Sequence, residues 1–313
     1  MIKLFNIPEY IIDTSNFFNK INDPIVEKFE NDFSNFVGAR YGCGFNSATN
    51  AIFLSMLGKN TKVTIPSIMP PVVLNSIINS GNKYTFCDNV TWVGDSYIFH
   101  KFDTYKIIDS AQKVERNQFK SEANPEDLMI FSFYPTKPVG GLDGGMIVSD
   151  DKDKIDWFKK AVLNGMKYSV NNWERKIEFP GWKMYLSSIQ AYVASKNLLL
   201  LEKKYARLKE IRNFYNESLG YKNTSNHLYR LCVDNRDSFI EKMKNEKIIC
   251  GVHYAPAHSH EVYLAHSLED IYHLPKSELE GKTTVSIPYH EELTDCDVEN
   301  IIKSCKRYAD TRY

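Results

Sequence analysis

"LMIFSFYPTKPVGGLDGGMIVSD" spans Leu128–Asp150 and sets two apolar runs on either side of a turn rich in proline and glycine. "LMIFSF" (Leu128–Phe133) and "GMIVSD" (Gly145–Asp150) read as short strands that are continuously apolar rather than alternating. Such runs belong to strands covered on both faces. The glycines between them let backbone approach closely, and one lysine, Lys137, stands in the turn. Most lysines are solvated, so Lys137 is either a loop lysine in water or an amine held against a flat ligand. Desolvation or a neighbouring cation would lower its pKa and make it a nucleophile toward carbonyl carbon.

Upstream, strands alternate with helices. "SATNAIFLSMLG" (Ser47–Gly58) has helical apolar spacing, polar capping residues and a glycine stop. "KVTIP" (Lys62–Pro66) is a short β-branched strand, and "PVVLNSIINSG" (Pro71–Gly81) is a helix with proline at its start and glycine after its end. "KYTFCD" and "YKIIDS" are further apolar strands. This alternation predicts an α/β large domain with a mostly parallel central sheet. A long helical pattern fills Tyr185–Leu219, with Gly220 as its stop. Beyond it the pattern changes to strand "HLYRLCV", helix "NRDSFIEKMKNE" with Asn235 as cap, strand "KIICGVHY", and a helix opened by Thr294. The expected division is residues 1–215 as the large domain and 216–313 as a smaller α+β domain.

The chain of 313 residues is 43% apolar and 25% charged, an ordinary globular composition. Lys plus Arg and Asp plus Glu number 39 each, so no basic field points to nucleic acid. Six scattered cysteines form no C-x-x-C pair and have no zinc spacing, which reads as a reduced, cytoplasmic chain without a bound metal. "MIKLFNIPEYIIDTSNFF" has no long apolar core, and no apolar run reaches membrane-spanning length, so neither secretion nor a membrane is expected.

Two further stretches share the strand-end position of Lys137, where ligands bind in open α/β sheets. In "CGFNSATNAIF" a polar turn runs into a helix. The amides of Ala48 and Thr49, with the hydroxyls of Ser47 and Thr49, make either an ordinary cap or an anion site. In "YKIIDSAQ", Asp109 follows an apolar strand directly, as a helix cap or as the holder of a buried cation. Together these supply a phosphate anchor, a carboxylate for a pyridine nitrogen and an amine for an aldehyde, the inventory that pyridoxal 5'-phosphate (PLP) needs. G-x-G-x-x-G after a strand, G-x-x-x-x-G-K-[ST] and G-x-S-x-G are all absent.

Six motifs, in order and over nearly the whole length, resemble the DegT/DnrJ/EryC1/StrS family of nucleotide-sugar aminotransferases, which are fold type I PLP enzymes. They are "NSATNAIFLSM", "TIPSIMPPVVLNSIINSGNKYTFCD", "IIDSAQ", "FSFYPTKPVGGLDGGMIVSDD", the stretch from "FPGWKMYLSSIQA" to "FYNESL", and the pair "GVHYAPAH" and "SIPYHEELTDCDVENII". The resemblance implies roles. Lys137 would join the cofactor covalently and move a proton at the substrate α-carbon. Asp109 would pair with the pyridinium nitrogen, and Gln112 would meet the ring hydroxyl. Ser47, Ala48, Thr49 and Ser132 would hold the phosphate. Tyr134, His253 and Tyr254 would shape the sugar site. It further implies a homodimer with the site at the subunit interface. The implied reaction moves an amine from an amino acid, glutamate by preference, to a keto-deoxysugar carried by a nucleotide, at C3 or C4, for glycan biosynthesis.

The chain departs from the family pattern at several places. Pro70 stands where an aromatic residue stacks on the ring, and Ala48 replaces a glycine. Lys183 replaces the asparagine that reaches the neighbouring subunit's phosphate, and as a cation it could serve there. Between "FCD" and "IIDSAQ" only "NVTWVGDSYIFHKFDTYK" remains of a longer stretch that includes a helix. Two alternatives stand beside transamination: sugar dehydration, whose family members carry histidine at the lysine position, and binding without catalysis.

Overall fold

The computed structural model describes residues 1–12, 24–167 and 176–310, so residues 13–18 of the N-terminal stretch quoted above lie outside it. Along the chain the large-sheet region runs α1 (Pro24–Val37), β1 (Tyr41–Phe45), α2 (Ala48–Met56), β2 (Lys62–Pro66), α3 (Pro71–Asn79), β3 (Lys83–Cys87), β4 (Tyr97–Lys101), β5 (Lys106–Asp109), α4 (Gln118–Glu122), β6 (Leu128–Ser132), β7 (Gly145–Ser149) and α5 (Lys152–Ala161). A short pair, β8 (Met166–Lys167) and β9 (Lys176–Ile177), precedes the long α6 (Ser188–Leu219). Then come β10 (Tyr229–Cys232), α7 (Arg236–Asn245), α8 (Glu261–Leu264), α9 (Pro275–Thr283), β11 (Thr284–Ile287) and α10 (Asp295–Tyr308).

The five-stranded sheet has the order β1-β7-β6-β5-β4, and β2 pairs with β3 in parallel beside it. All five residues of β6 and of β7 are buried, as continuous apolar runs require. Alternate side chains go to opposite faces. Leu128, Ile130 and Ile147 join a core with α2, α3 and α5, while Met129, Phe131, Met146 and Val148 join another with α1 and α6.

The sheet is mixed, where the alternating pattern suggested a mostly parallel one. Only β5–β6 is parallel within it, and β1–β7, β6–β7 and β4–β5 are antiparallel. The form of the connections explains the difference for β4–β5 and β6–β7. A parallel neighbour needs a crossover of a dozen or more residues, usually helical. The link from β4 to β5 is a tight hairpin closed by Phe102 N–H to Tyr105 C=O at 2.8 Å. The link from β6 to β7 is the Lys137 turn, which carries no helix and folds back on itself. Its closure uses Gly141 N–H to Phe133 C=O at 2.7 Å and Phe133 N–H to Gly144 C=O at 2.9 Å. Gly140 is needed there, because a Cβ would come within 2.7 Å of the Pro135 carbonyl oxygen.

Helix α6 serves two cores. Ala191, Ala194 and Leu201 pack under the large sheet, whereas Leu208, Ile211 and Tyr215 pack with β10, β11, α7 and α10. A capping box at Ser187 and Gln190 starts it, and Gly220, at φ 74°, ends it. Thr294 and Asp297 form the equivalent box on α10. Two local details differ from expectation in this part. Asn235 stands at the N-cap of α7, as expected, but its side chain makes no capping hydrogen bond. Its side chain instead donates to the Tyr308 carbonyl at 3.1 Å and accepts from Asp310 N–H at 3.2 Å, tying down the end of α10. "KIICGVHY" is not a continuous strand, because its backbone is shared between two partners, Ile248 bridging Ile2 and Gly251 bridging Ser286.

Candidate functional site

Lys137 sits in the β6–β7 turn, its N–H bonded to the Tyr134 carbonyl at 2.9 Å. No hydrogen bond or ion pair joins its Nζ to another described residue, and the field of Asp109 is the attraction it feels. Burial is the larger effect and pulls the ammonium pKa down from 10.5 to about 8. The amine is therefore partly unprotonated near neutrality, the state a nucleophile requires.

Asp109 closes β5, one strand over from β6, and is 5% exposed. Its Oδ1 accepts Ala111 N–H at 2.9 Å, and its Oδ2 accepts the Tyr97 hydroxyl at 3.0 Å. Burial raises its pKa, while the two donors and Lys137 oppose that rise. A carboxylate has about four acceptor positions, so two donors leave room for a third.

The start of α2 meets the same edge. A Cβ on Gly145 would lie 2.6 Å from the Ala48 backbone, so only glycine lets β7 come this close to the helix N-terminus. The Ser47 hydroxyl accepts Asn50 N–H at 3.2 Å and caps the helix. The amides of Ala48 and Thr49 belong to the first turn, which has no intrahelical acceptors, at the positive end of the helix dipole. Ser132, buried at the end of β6, accepts Tyr134 N–H at 3.3 Å and faces Gly145 across the ladder.

Gln112 and Tyr254 are joined, Nε2 to hydroxyl, at 3.1 Å, and Gln112 Oε1 accepts Gly94 N–H at 2.8 Å. Tyr254 stacks on Trp92 with centroids 6.3 Å apart, and burial, with Asp109 after it, pushes its phenol pKa up. His253 meets the Ser286 hydroxyl through Nδ1 at 2.9 Å. Burial and the charges of Lys137 and Arg230 lower its pKa to about 4, so it is neutral at pH 7. Pro70 stands at the N-cap of α3, near Ile68, whose carbonyl accepts Trp92 Nε1–H at 3.0 Å. Tyr134 is 53% exposed on the lysine turn. Lys183 is exposed, its backbone bridged to Leu163, and no hydrogen bond or ion pair links it to Lys137 or Asp109.

Three residues near the pair escaped the sequence reading. Tyr97 bonds Asp109, Trp92 packs on Tyr97 at 4.7 Å, and His227 is buried within the field of Lys137. The alternation of "YIFHK", with Tyr97 and Phe99 inward, is the signal that marks this segment as a strand. His227 and Asn226 line a cavity of about 40 Å³ beside Lys137. A larger polar cavity of about 370 Å³ opens next to Gln112, bounded by Lys113, Ser225, Asn226 and Arg230.

A free, desolvated amine, a buried carboxylate and unpaired helix amides thus share one sheet edge. The donor set suits a ligand with an aldehyde, a basic ring nitrogen and a phosphate, which is what PLP presents. A family model described as the DegT/DnrJ/EryC1/StrS aminotransferase family matches residues 11–94 and 100–306. The spore coat polysaccharide biosynthesis protein SpsC of Bacillus subtilis (strain 168) is 26% identical over 346 aligned positions, covering 90% of this chain and 89% of that protein. The UDP-4-amino-4,6-dideoxy-N-acetyl-beta-L-altrosamine transaminase of Campylobacter jejuni is 24% identical, covering 92% of this chain and 89% of that protein. The crystal structure of the aminotransferase TlmJ from Streptoalloteichus hindustanus superposes with a TM-score of 0.81 at 21% identity, covering 98% of each chain. The fold is that of a fold type I aminotransferase.

Proposed function

This chain belongs to the DegT/DnrJ/EryC1/StrS aminotransferase family, whose members depend on PLP, and we propose that it moves an amino group from an amino acid to a nucleotide-linked keto sugar. The observation that carries this reading is the pairing of the Lys137 amine, without a hydrogen-bond or ion-pair partner among the described residues and held at a pKa of about 8, with the buried Asp109 carboxylate. Glutamate is the proposed donor. The acceptor is a keto-deoxysugar, aminated at C3 or C4, and the product serves glycan biosynthesis in the cytoplasm.

When bound, PLP supplies an electrophilic aldehyde and a ring that accepts electrons, and so carries the amine between the two substrates. Asp109 holds the proton on the ring nitrogen. Lys137 Nζ takes the proton from the α-carbon of the donor and returns one to the sugar carbon that receives the amine. The Ala48 and Thr49 amides, with Ser47 and Ser132, hold the phosphate, and Gln112 faces the ring hydroxyl. Pro70 packs on the ring face, and Tyr134, His253 and Tyr254 bound the sugar site. In a homodimer Lys183 reaches the partner's phosphate. Exposed Leu142 on the lysine turn, and exposed Ile189, Leu199 and Leu200 on α6, supply apolar surface for that dimer.

The net exchange converts glutamate and keto sugar into 2-oxoglutarate and amino sugar. Protein loaded with PLP should lose its visible absorption on addition of glutamate and regain it with a keto sugar nucleotide, while mass spectrometry detects the amine. An unchanged spectrum with glutamate sinks the donor assignment. Failure of every keto sugar nucleotide in a panel to restore the absorption sinks the acceptor class.

A further inference from the structure

The antiparallel hairpin of β4 and β5 places Tyr97 opposite Asp109 in register. Its hydroxyl, 3.0 Å from Oδ2, is the side-chain donor to that carboxylate among the described residues, and Ala111 N–H takes the other oxygen. The phenol is buried and packed on Trp92, with ring centroids 4.7 Å apart.

We propose that Tyr97 is a positioning residue for the cofactor: by donating to Asp109 it weakens the carboxylate as a base and keeps the shared proton on the ring nitrogen. The inference rests on the role given to Asp109 above. A carboxylate this deeply buried gains basicity, because low dielectric disfavours its charge. A strong base would draw the proton off the ring and leave the ring a poor electron acceptor. A hydrogen bond from a phenol stabilises the charged form and opposes that transfer. Burial, and then Asp109, push the Tyr97 pKa well up, so the phenol keeps its proton and remains a donor at neutral pH. The other titratable groups facing the pair are Lys137, Tyr254 and Cys87. The Tyr254 hydroxyl is engaged with Gln112, and Lys137 acts on Asp109 through its field.

The test is nitrogen NMR of the holoenzyme carrying PLP labelled with ¹⁵N in the ring, which reads at neutral pH the ratio of protonated to unprotonated ring nitrogen. Tyr97→Phe should lower that ratio about tenfold, the scale of a hydrogen bond to a charged group, as the proton moves to the more basic carboxylate. A fluorotyrosine at position 97 keeps the shape, donates more strongly and should raise it. Phe99→Leu disturbs the packing of the same strand and should leave it unchanged. Equal values for Tyr97→Phe and Phe99→Leu overturn the proposal. Should Tyr97→Phe fail to fold, absence of an upward shift in the fluorotyrosine protein overturns it equally. Asp109→Asn separates this from failure of the underlying reading. If Asp109→Asn leaves ring protonation unchanged, or the wild type does not bind PLP, the Asp109 assignment falls and the role of Tyr97 falls with it. If Asp109→Asn abolishes ring protonation while Tyr97→Phe matches wild type, only Tyr97 is misassigned.

Discussion

Lys137 and Lys113 flank the same carboxylate region and have opposite surroundings. Lys113, four residues past Asp109, meets Asp95 at 2.9 Å, Glu122 at 3.0 Å and Glu115 at 3.7 Å. Those partners overcome its partial burial and raise its pKa. Lys137 has no such partner among the described residues, and desolvation lowers its pKa to about 8. Loss of water around a lysine thus does not decide its chemistry. What decides it is whether acceptors replace the lost water. The partnered amine is fixed as a cation and stays structural. The unpartnered one is the proposed nucleophile, and its burial lowers the stability of the cofactor-free protein.

The largest expected contrast is in turnover. Lys137→Ala should reduce kcat by ~10³-fold or more, since it removes both the covalent attachment and the proton carrier. Lys113→Met should leave kcat within a few-fold of wild type. Steady-state assays with glutamate and a keto sugar nucleotide measure both, and an equal loss in the two variants would erase the distinction.

A smaller effect lies in the stability of the cofactor-free protein. Below pH 8 both folded and unfolded states protonate Lys137, and the folded state bears the full cost of a buried ammonium. From about 8 to 10.5 the unfolded chain keeps a proton that the folded chain has released, so stability rises with pH across that window. Lys137→Met should therefore stabilise the cofactor-free protein at pH 7 by up to roughly 3 kcal/mol, and the gain should vanish by about pH 10.5. Urea melts across this range check it, and a gain independent of pH contradicts it.

The smallest effect belongs to Lys113. Its cluster is partly exposed, so Lys113→Met should cost about 1 kcal/mol at low salt and less at high salt. The raised pKa of Lys113 means that this contribution holds through neutral pH and fades only in strong alkali. Urea melts at two ionic strengths give the number, and a loss insensitive to salt would point to packing instead.

Much of the architecture was legible because it is local. Continuous apolar runs marked β6 and β7, the cap at Thr294 marked its helix, and Gly220 marked an end, whereas the Ser187 cap of α6 lies two residues beyond the start read from the pattern. Strand direction was less legible, since it depends on whether a connection crosses over or folds back on itself, as the β6–β7 turn does. Within the candidate site, Lys137 and Asp109 were readable by their places after apolar strands. Tyr97 was not, because its importance comes from register across the β4–β5 hairpin rather than from any neighbour in sequence.

The order of amino acids was enough to set the elements, the glycine-rich lysine turn and the set of groups gathered at one sheet edge, because these follow from short-range sterics and periodicity. Which lysine would be neutralised and which would be left bare, and which phenol would reach Asp109, were settled only when distant segments packed. A pKa depends on the water removed and the charges brought near, and both are contributed by residues far along the chain.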